Sequence, residues 1–221
     1  MTPQWLKTRK IRTRTEELSL GFILTASSPY RKSRSDQTLQ IYHDRVLEAI
    51  TRNEHDIIVG PEYAYFGERP LTAEQKTTYE TELQNATKEK DCLVIPGTML
   101  WSPDNYSMKN TAMGFTRGIT LFNYDKRQEG GERMIARRYG LVSSYGIEVG
   151  IFLWREYYCG IEVCVDKGTL ERKRKFGLDF KFLIACGLHE TPYASLRRDG
   201  YLIVHDGLDI SDIHQYVERK S

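Results

Sequence analysis

Three short apolar runs in this chain each end on a chemically reactive side chain. Asp56-Ile57-Ile58-Val59-Gly60-Pro61-Glu62 ends on a carboxylate, and Gly118-Ile119-Thr120-Leu121-Phe122-Asn123-Tyr124-Asp125-Lys126 ends on an ammonium. Gly160-Ile161-Glu162-Val163-Cys164 ends on a thiol, with Val165-Asp166 directly after it. Runs this short and rich in β-branched and aromatic residues read as buried strands. Strands lying side by side in one sheet would bring the three groups to one edge.

The rest of the chain gives such strands something to pack against. Leu18–Thr25, Cys92–Ile95, Phe182–Cys186 and Tyr201–Val204 are further strand candidates. Leu39, Tyr42, Val46, Leu47 and Ile50 recur at helical spacing between a cap at Ser33–Asp36 and Asn53. Pro70–Lys90 reads as a second helix, Leu170–Phe176 as a short one, and Ile210–Val217 as a last amphipathic one. Two hairpins are expected, Thr111–Thr116 with Gly118–Tyr124, and Val149–Trp154 with Tyr157–Val165. Residues 1–16 read as a flexible basic arm and Gln128–Arg138 as a charged loop. Strand–helix alternation at both ends with hairpins between indicates a single α/β layered domain over residues 1–221.

Composition narrows the function. Net charge is +2, from 32 basic and 30 acidic residues, which argues against a dedicated nucleic-acid binder. No run approaches the ~20 apolar residues of a membrane span, and the basic N-terminus lacks the apolar core of a signal peptide. The four cysteines have no zinc-site spacing, and three lie in apolar runs, as free thiols of a reducing compartment do. A cytoplasmic location is expected, with signal-independent export as the alternative.

A carboxylate, an ammonium and a thiol together suffice for covalent catalysis on a carbonyl or nitrile carbon. The carboxylate takes the thiol proton. The ammonium, with the backbone N–H of Val165, stabilises the oxyanion. Water then attacks the thioester, with the carboxylate again as base. On this reading Cys164 is the one low-pKa thiol.

At these residues the chain resembles the nitrilase superfamily, carbon–nitrogen hydrolases with a Glu-Lys-Cys triad. Val59-Gly60-Pro61-Glu62-Tyr63 is similar to the segment holding the general base. Asn110-Thr111-Ala112, Gly118 and Tyr124-Asp125-Lys126 are similar to the hairpin that leads to the catalytic Lys. Gly160 through Asp166 is similar to the nucleophile segment. The resemblance implies a four-layer α-β-β-α sandwich, with Glu62 as base, Lys126 as oxyanion stabiliser and Cys164 as nucleophile. It also implies a second Glu after the Lys, for which Glu129 and Glu132 are candidates, and a homodimer.

The implied activity is hydrolysis of a non-peptide C–N bond in a small amide, carbamoyl compound or nitrile, without metal or cofactor. Asp166, where nitrile-cleaving members tend to carry Glu, leans towards an amidase. Acyl or amido transfer on the same triad, and a binding protein that keeps the fold but not turnover, are the alternatives. Only 221 − 164 = 57 residues follow Cys164, fewer than the family's pattern, so a shortened C-terminal half is expected.

Blander readings accompany the neighbours of the triad. Asp166 is expected to order the nucleophile turn by accepting backbone N–H bonds. Tyr63, Tyr65 and Phe66 are candidate pocket residues. Cys92, Cys159 and Cys186 read as structural thiols. The five histidines show no metal spacing, and Cys186-x-x-His189 is a weak hint of a Cys–His pair. Glu171-Arg172-Lys173-Arg174-Lys175 reads as the solvated face of a helix.

Overall fold

The computed structural model describes residues 3–24, 35–170, 177–186, 195–207 and 214–220. In chain order the first half holds β1 (Leu6–Arg12), β2 (Glu17–Ile23), α1 (Asp36–Arg52), β3 (Ile57–Val59), β4 (Leu71–Thr72), α2 (Ala73–Thr87) and β5 (Leu93–Ile95). Next come β6 (Thr98–Ser102), β7 (Ser107–Thr116), β8 (Ile119–Asp125), α3 (Glu132–Arg138) and β9 (Val142–Ser143). The second half holds β10 (Ile151–Trp154), β11 (Tyr157–Val163), β12 (Leu178–Ala185), β13 (Leu196–Asp206) and β14 (His214–Arg219).

These strands form two sheets. The first runs β1-β2-β3-β5-β7-β6-β4, with β8 and β9 added on β7, and the second runs β10-β11-β12-β13-β14. β2, β3 and β5 are mutually parallel, and so are β11, β12 and β13. The sheets pack face to face. Leu20, Phe22, Ile57, Val59, Leu93 and Ile95 of the first meet Phe152, Ile161, Val163, Phe180, Phe182 and Ile184 of the second. Alternation along the strands makes this possible, since Phe180, Phe182 and Ile184 point one way and Asp179, Lys181 and Leu183 the other.

The opposite face of the first sheet is covered by α1 and α2. Helix α1 begins where Ser35 accepts a hydrogen bond from the Thr38 N–H, a cap that contributes about 1 kcal/mol. It ends at Asn53, whose φ of 53° is left-handed. Leu39, Tyr42, Val46, Ala49 and Ile50 form its buried stripe and pack on Ile23, Ile58 and Val94. Helix α2 buries only Leu83 and Thr87, so its start depends on a capping box between Thr72 and Gln75. On the outer face of the second sheet, Leu178, Leu183, Leu202 and Val204 cluster with Leu170 and Leu196. Residues 171–176, including the helix expected there, lie outside the described residues. No described helix is long and apolar enough to cross a membrane.

Three segments differ from what the sequence predicts. Residues 6–12 are not an arm but a strand antiparallel to β2, from Leu6↔Ile23 to Arg12↔Glu17. Only Leu6 and Ile11 of β1 are buried, so its basic face hid the strand pattern and now blunts an exposed sheet edge. Second, the charged loop contains α3, with Glu132, Ile135 and Ala136 buried. Third, His214–Val217 is not helical. It belongs to β14, antiparallel to β13 with Val217 opposite Ile203. The open edge of β13 needs hydrogen-bond partners, and that demand outweighs a helical spacing carried by three residues. Residues 210–213 of the expected helix lie outside the described residues.

Candidate active site

Each of the three reactive residues begins a loop at a strand end. Glu62 follows β3 through Gly60 and Pro61, Lys126 follows β8, and Cys164 follows β11. β3 and β8 belong to the first sheet and β11 to the second. The site therefore forms where two packed sheets expose their strand ends, not along one sheet edge. Gly97 holds the approach to Glu62 in place. Its φ is +93°, and a Cβ there would lie 2.2 Å from the Pro61 carbonyl oxygen.

The ammonium of Lys126 stands between two buried carboxylates. Its Nζ donates to Glu62 Oε1 at 2.9 Å and to Glu132 Oε2 at 3.0 Å. All three side chains are at most 3% exposed. Asn110 Nδ2 donates to the same Glu62 oxygen at 3.0 Å. Among the described residues, Glu62 Oε2 has no hydrogen-bond partner. Glu132 is fixed from two further sides, by Tyr63 OH at 3.0 Å and by the Gly130 N–H at 3.0 Å. A Cβ at Gly130 would lie 2.9 Å from Lys126 Nζ, so a larger residue there would displace the ammonium.

Electrostatics follow from this packing. Burial pulls the Lys126 pKa down, but the charges of Glu62 and Glu132 more than offset it, so the side chain stays an ammonium. Burial raises the Glu62 pKa, and Lys126 opposes that rise. The half-buried Cys164 thiol is pushed up to about 12 by burial and by Glu62, against the opposing pull of Lys126 and the Cys186 backbone N–H. This corrects the low-pKa expectation. Burial pushes the Cys92 thiol up as well. A carboxylate beside the thiol keeps it protonated and ready to pass its proton on.

Backbone strain marks the same place. Cys164 has φ +50° and Tyr63 has φ +58°, in a region that non-glycine residues seldom occupy. Cys164 then opens a one-turn 3-10 helix, Cys164–Asp166. Val165 is partly exposed, and its N–H lies at the start of that turn, where N–H groups have no partner within the turn. The Asp166 carboxylate ties this turn to the Lys126 loop. It accepts from the Arg127 and Gln128 N–H groups at 2.8 and 2.7 Å and from Tyr124 OH at 2.8 Å. It thus orders the segment after Lys126 rather than its own turn.

The other candidates separate clearly. Glu132 is in the site. Glu129 is exposed and pairs with Arg133 at 2.6 Å. Tyr63 is in the site, and Phe66 packs in the same cluster as Tyr63, Ile135 and Cys186. Tyr65 is not a pocket residue. Its OH meets His43 Nδ1 at 3.0 Å, and it packs with Leu39, Val46 and Leu83 on the helix side of the sheet. The left-handed turn at Tyr63 redirects the chain, and Tyr65 then bridges Met99 on the sheet. Asn110 entered the sequence reading only as part of the hairpin motif, and α3 and the Cys186 N–H carried no signal as parts of a site. So did the fully buried Lys181–Glu162 pair at 2.8 Å, whose Glu162 also accepts from the Gly168 and Leu170 N–H groups after Cys164. His189 and the 171–175 basic run lie outside the described residues. Among the described residues, no group of three or more His, Cys, Asp or Glu side chains is placed to hold a metal ion.

No family model and no curated protein matches this sequence. Solved structures do match. An amidase from Nesterenkonia sp. is 15% identical, with TM-score 0.60 over 84% of this chain and 74% of that one. XC1258 from Xanthomonas campestris, a CN-hydrolase superfamily protein, is 15% identical, with TM-score 0.61 over 92% and 87%. Nit3 from Saccharomyces cerevisiae, a member of branch 10 of the nitrilase superfamily, is 15% identical, with TM-score 0.62 over 89% and 79%. The chain has the fold of these nitrilase-superfamily structures.

Proposed function

We propose that the chain is a divergent nitrilase-superfamily enzyme that hydrolyses a non-peptide C–N bond through a thioester on Cys164. The observation that carries this reading is the buried Glu62–Lys126–Glu132 chain, with contacts of 2.9 and 3.0 Å, beside a half-buried thiol on a strained backbone. A protein kept only for packing has no need to bury two carboxylates and an ammonium, which together cost desolvation energy.

The residues divide the chemistry among themselves. Asn110 and Lys126 occupy Glu62 Oε1, which leaves Oε2 to take the proton as Sγ attacks the substrate carbon. Lys126, held as an ammonium, and the Val165 N–H receive the oxyanion. Glu62 passes the proton to the departing nitrogen as the C–N bond breaks, and ammonia or an amine leaves. Water then gives a proton to Glu62 and attacks the thioester. The C–S bond breaks, and Cys164 recovers its proton as the acid departs. Glu132 and Tyr63 position Lys126 and keep its charge compensated.

Amides and carbamoyl compounds are the favoured substrates. The Nesterenkonia amidase has been solved with acrylamide and with butyramide. Asp166 supports the same choice. Ammonia release from a panel of small amides, N-carbamoyl compounds and nitriles tests the proposal. A Cys164-bound acyl adduct in the mass spectrum is expected, and its absence in an ammonia-releasing protein would refute the thioester route.

A further inference from the structure

A cavity of about 400 Å³ opens between the loop before β4, the β6–β7 turn and the far end of α3. Arg69 and Arg138 line it together with Thr72, Ser102, Asn105 and Tyr139, and no carboxylate does. Some arginines of this chain find acids, as Arg117 does with Asp91, Arg133 with Glu129, and Arg155 with Glu16, Asp56 and Asp91, and Arg45 lies over the Trp5 ring. The guanidiniums of Arg69 and Arg138 have no hydrogen bond or ion pair among the described residues. The nearby Asp104 is already engaged, accepting from the N–H groups of Tyr106 and Ser107 and from Ser107 Oγ.

Two unpaired guanidiniums in one cleft create a positive potential that favours an anion. Their planar forks match the oxygens of a phosphate or carboxylate. Thr72, in the same wall, is the N-cap of α2, so the positive end of that helix adds to the field. Asn105 is held at φ +63° in the opposite wall and supplies a side-chain amide donor. We propose that this cavity is an anion-binding site separate from the thiol site. It takes a small molecule bearing a phosphate or carboxylate group, bridged between Arg69 and Arg138.

Occupancy would reach the candidate active site through α3. Arg138 is the last residue of this helix and Glu132 the first, about 9 Å apart along its axis. Tyr139 of the cavity packs edge-on against Phe66 at 6.2 Å, and Phe66 shares a cluster with Tyr63. A bridged anion therefore ties the distal end of α3 to the β4–α2 junction and steadies the carboxylate that holds Lys126.

Thermal melts of the full chain test this without reference to catalysis, so failure of the thioester reading leaves the test intact. The probes are inorganic phosphate, glycerol 3-phosphate and malonate, at ionic strength fixed with sodium chloride. A saturable rise in Tm is expected with at least one of them. A stronger response to either phosphate probe assigns the phosphate class, and a stronger response to malonate assigns the carboxylate class. Arg69→Ala and Arg138→Ala are each expected to weaken apparent affinity about tenfold or more. Arg69→Lys should restore part of it, and Arg198→Ala, away from the cavity, should change nothing. Both arginines are exposed, so these variants fold. No rise beyond sodium chloride with any probe, or a rise that both Arg→Ala variants keep, overturns the proposal.

Discussion

Lys126 and Glu132 are six residues apart in sequence and 3.0 Å apart in space, because Gly130 and Gly131 turn the chain back before α3 begins. Glu132→Gln keeps the shape and removes the charge. Turnover is expected to fall about 10²-fold, from a misplaced oxyanion donor. The fold should lose up to about 3–5 kcal/mol, because a buried charge loses one of its partners. Glu129→Gln should leave both unchanged. Steady-state kinetics and denaturant melts of the pair decide which glutamate serves the site, and equal losses would refute the assignment.

Glu62→Gln should move two readouts in opposite directions. Hydrolysis is expected to fall about 10²–10⁴-fold with loss of the base. The Glu62 charge helps hold the Cys164 thiol up at about 12, so its removal lowers that pKa. Alkylation of Cys164 by iodoacetamide near pH 8 should therefore speed up in the variant. Slower alkylation in a folded variant would show that Glu62 acts on this thiol mainly as its base, not as a charge that holds its pKa up.

Asp166→Asn removes the acceptor for the Arg127 and Gln128 N–H groups. Hydrogen bonds to a charged acceptor contribute about 1.5–3 kcal/mol each, so a lower Tm and roughly tenfold slower turnover are expected. Tyr124→Phe removes one bond and should show a smaller effect of the same sign. A Tyr124→Phe loss larger than that of Asp166→Asn would place the organising role elsewhere.

Acid should destabilise the fold before the carboxylates titrate. Burial lowers the His205 pKa to about 4, from an ordinary 6.5, and burial also lowers His43 and His55. The unfolded chain therefore binds more protons than the folded one between pH 6.5 and 4. Stability is full above pH 6.5 and is lost as pH falls through that window, by about 3 kcal/mol for His205. Denaturant midpoints between pH 7 and 4.5 should fall, and more shallowly in His205→Phe. A flat wild-type profile would contradict the burial of neutral imidazoles.

The homodimer that the resemblance implies has an exposed apolar patch on which to form. Ile151, Leu153 and Tyr158 lie on the outward face of the second sheet at 39%, 52% and 51% exposure, with Leu153 directly opposite Tyr158. Such a patch suits a two-fold pairing of identical subunits. Light scattering at micromolar concentration is expected to give a dimer mass, and Leu153→Glu a monomer. A wild-type monomer would remove the pairing.

Much of this was legible in the sequence, and the rest hid for physical reasons. α1 was readable because its cap and its stripe agree. The meeting of Glu62, Lys126 and Cys164 was readable because order and chemistry coincide at three strand ends. β1 was not, since a one-sided edge strand with a basic face carries only two buried residues. α3 was not, because Glu, Arg and paired glycines also describe a loop. Spacing could not choose between Glu129 and Glu132, as a turn decides which one faces inward. It likewise placed Tyr65 with its neighbours, although the left-handed turn at Tyr63 sends it to the helix side.

The left-handed backbone at Cys164 sets folding against chemistry at a single position. Any side chain there costs about 1–3 kcal/mol that glycine would not. Cys164→Gly should therefore melt higher than the native protein while being inert. Under selection for robustness alone, random drift would erase the thiol first. Its persistence in a chain this divergent would then be a signature of use, readable by counting which residues survive at this position in a mutagenised pool screened only for solubility.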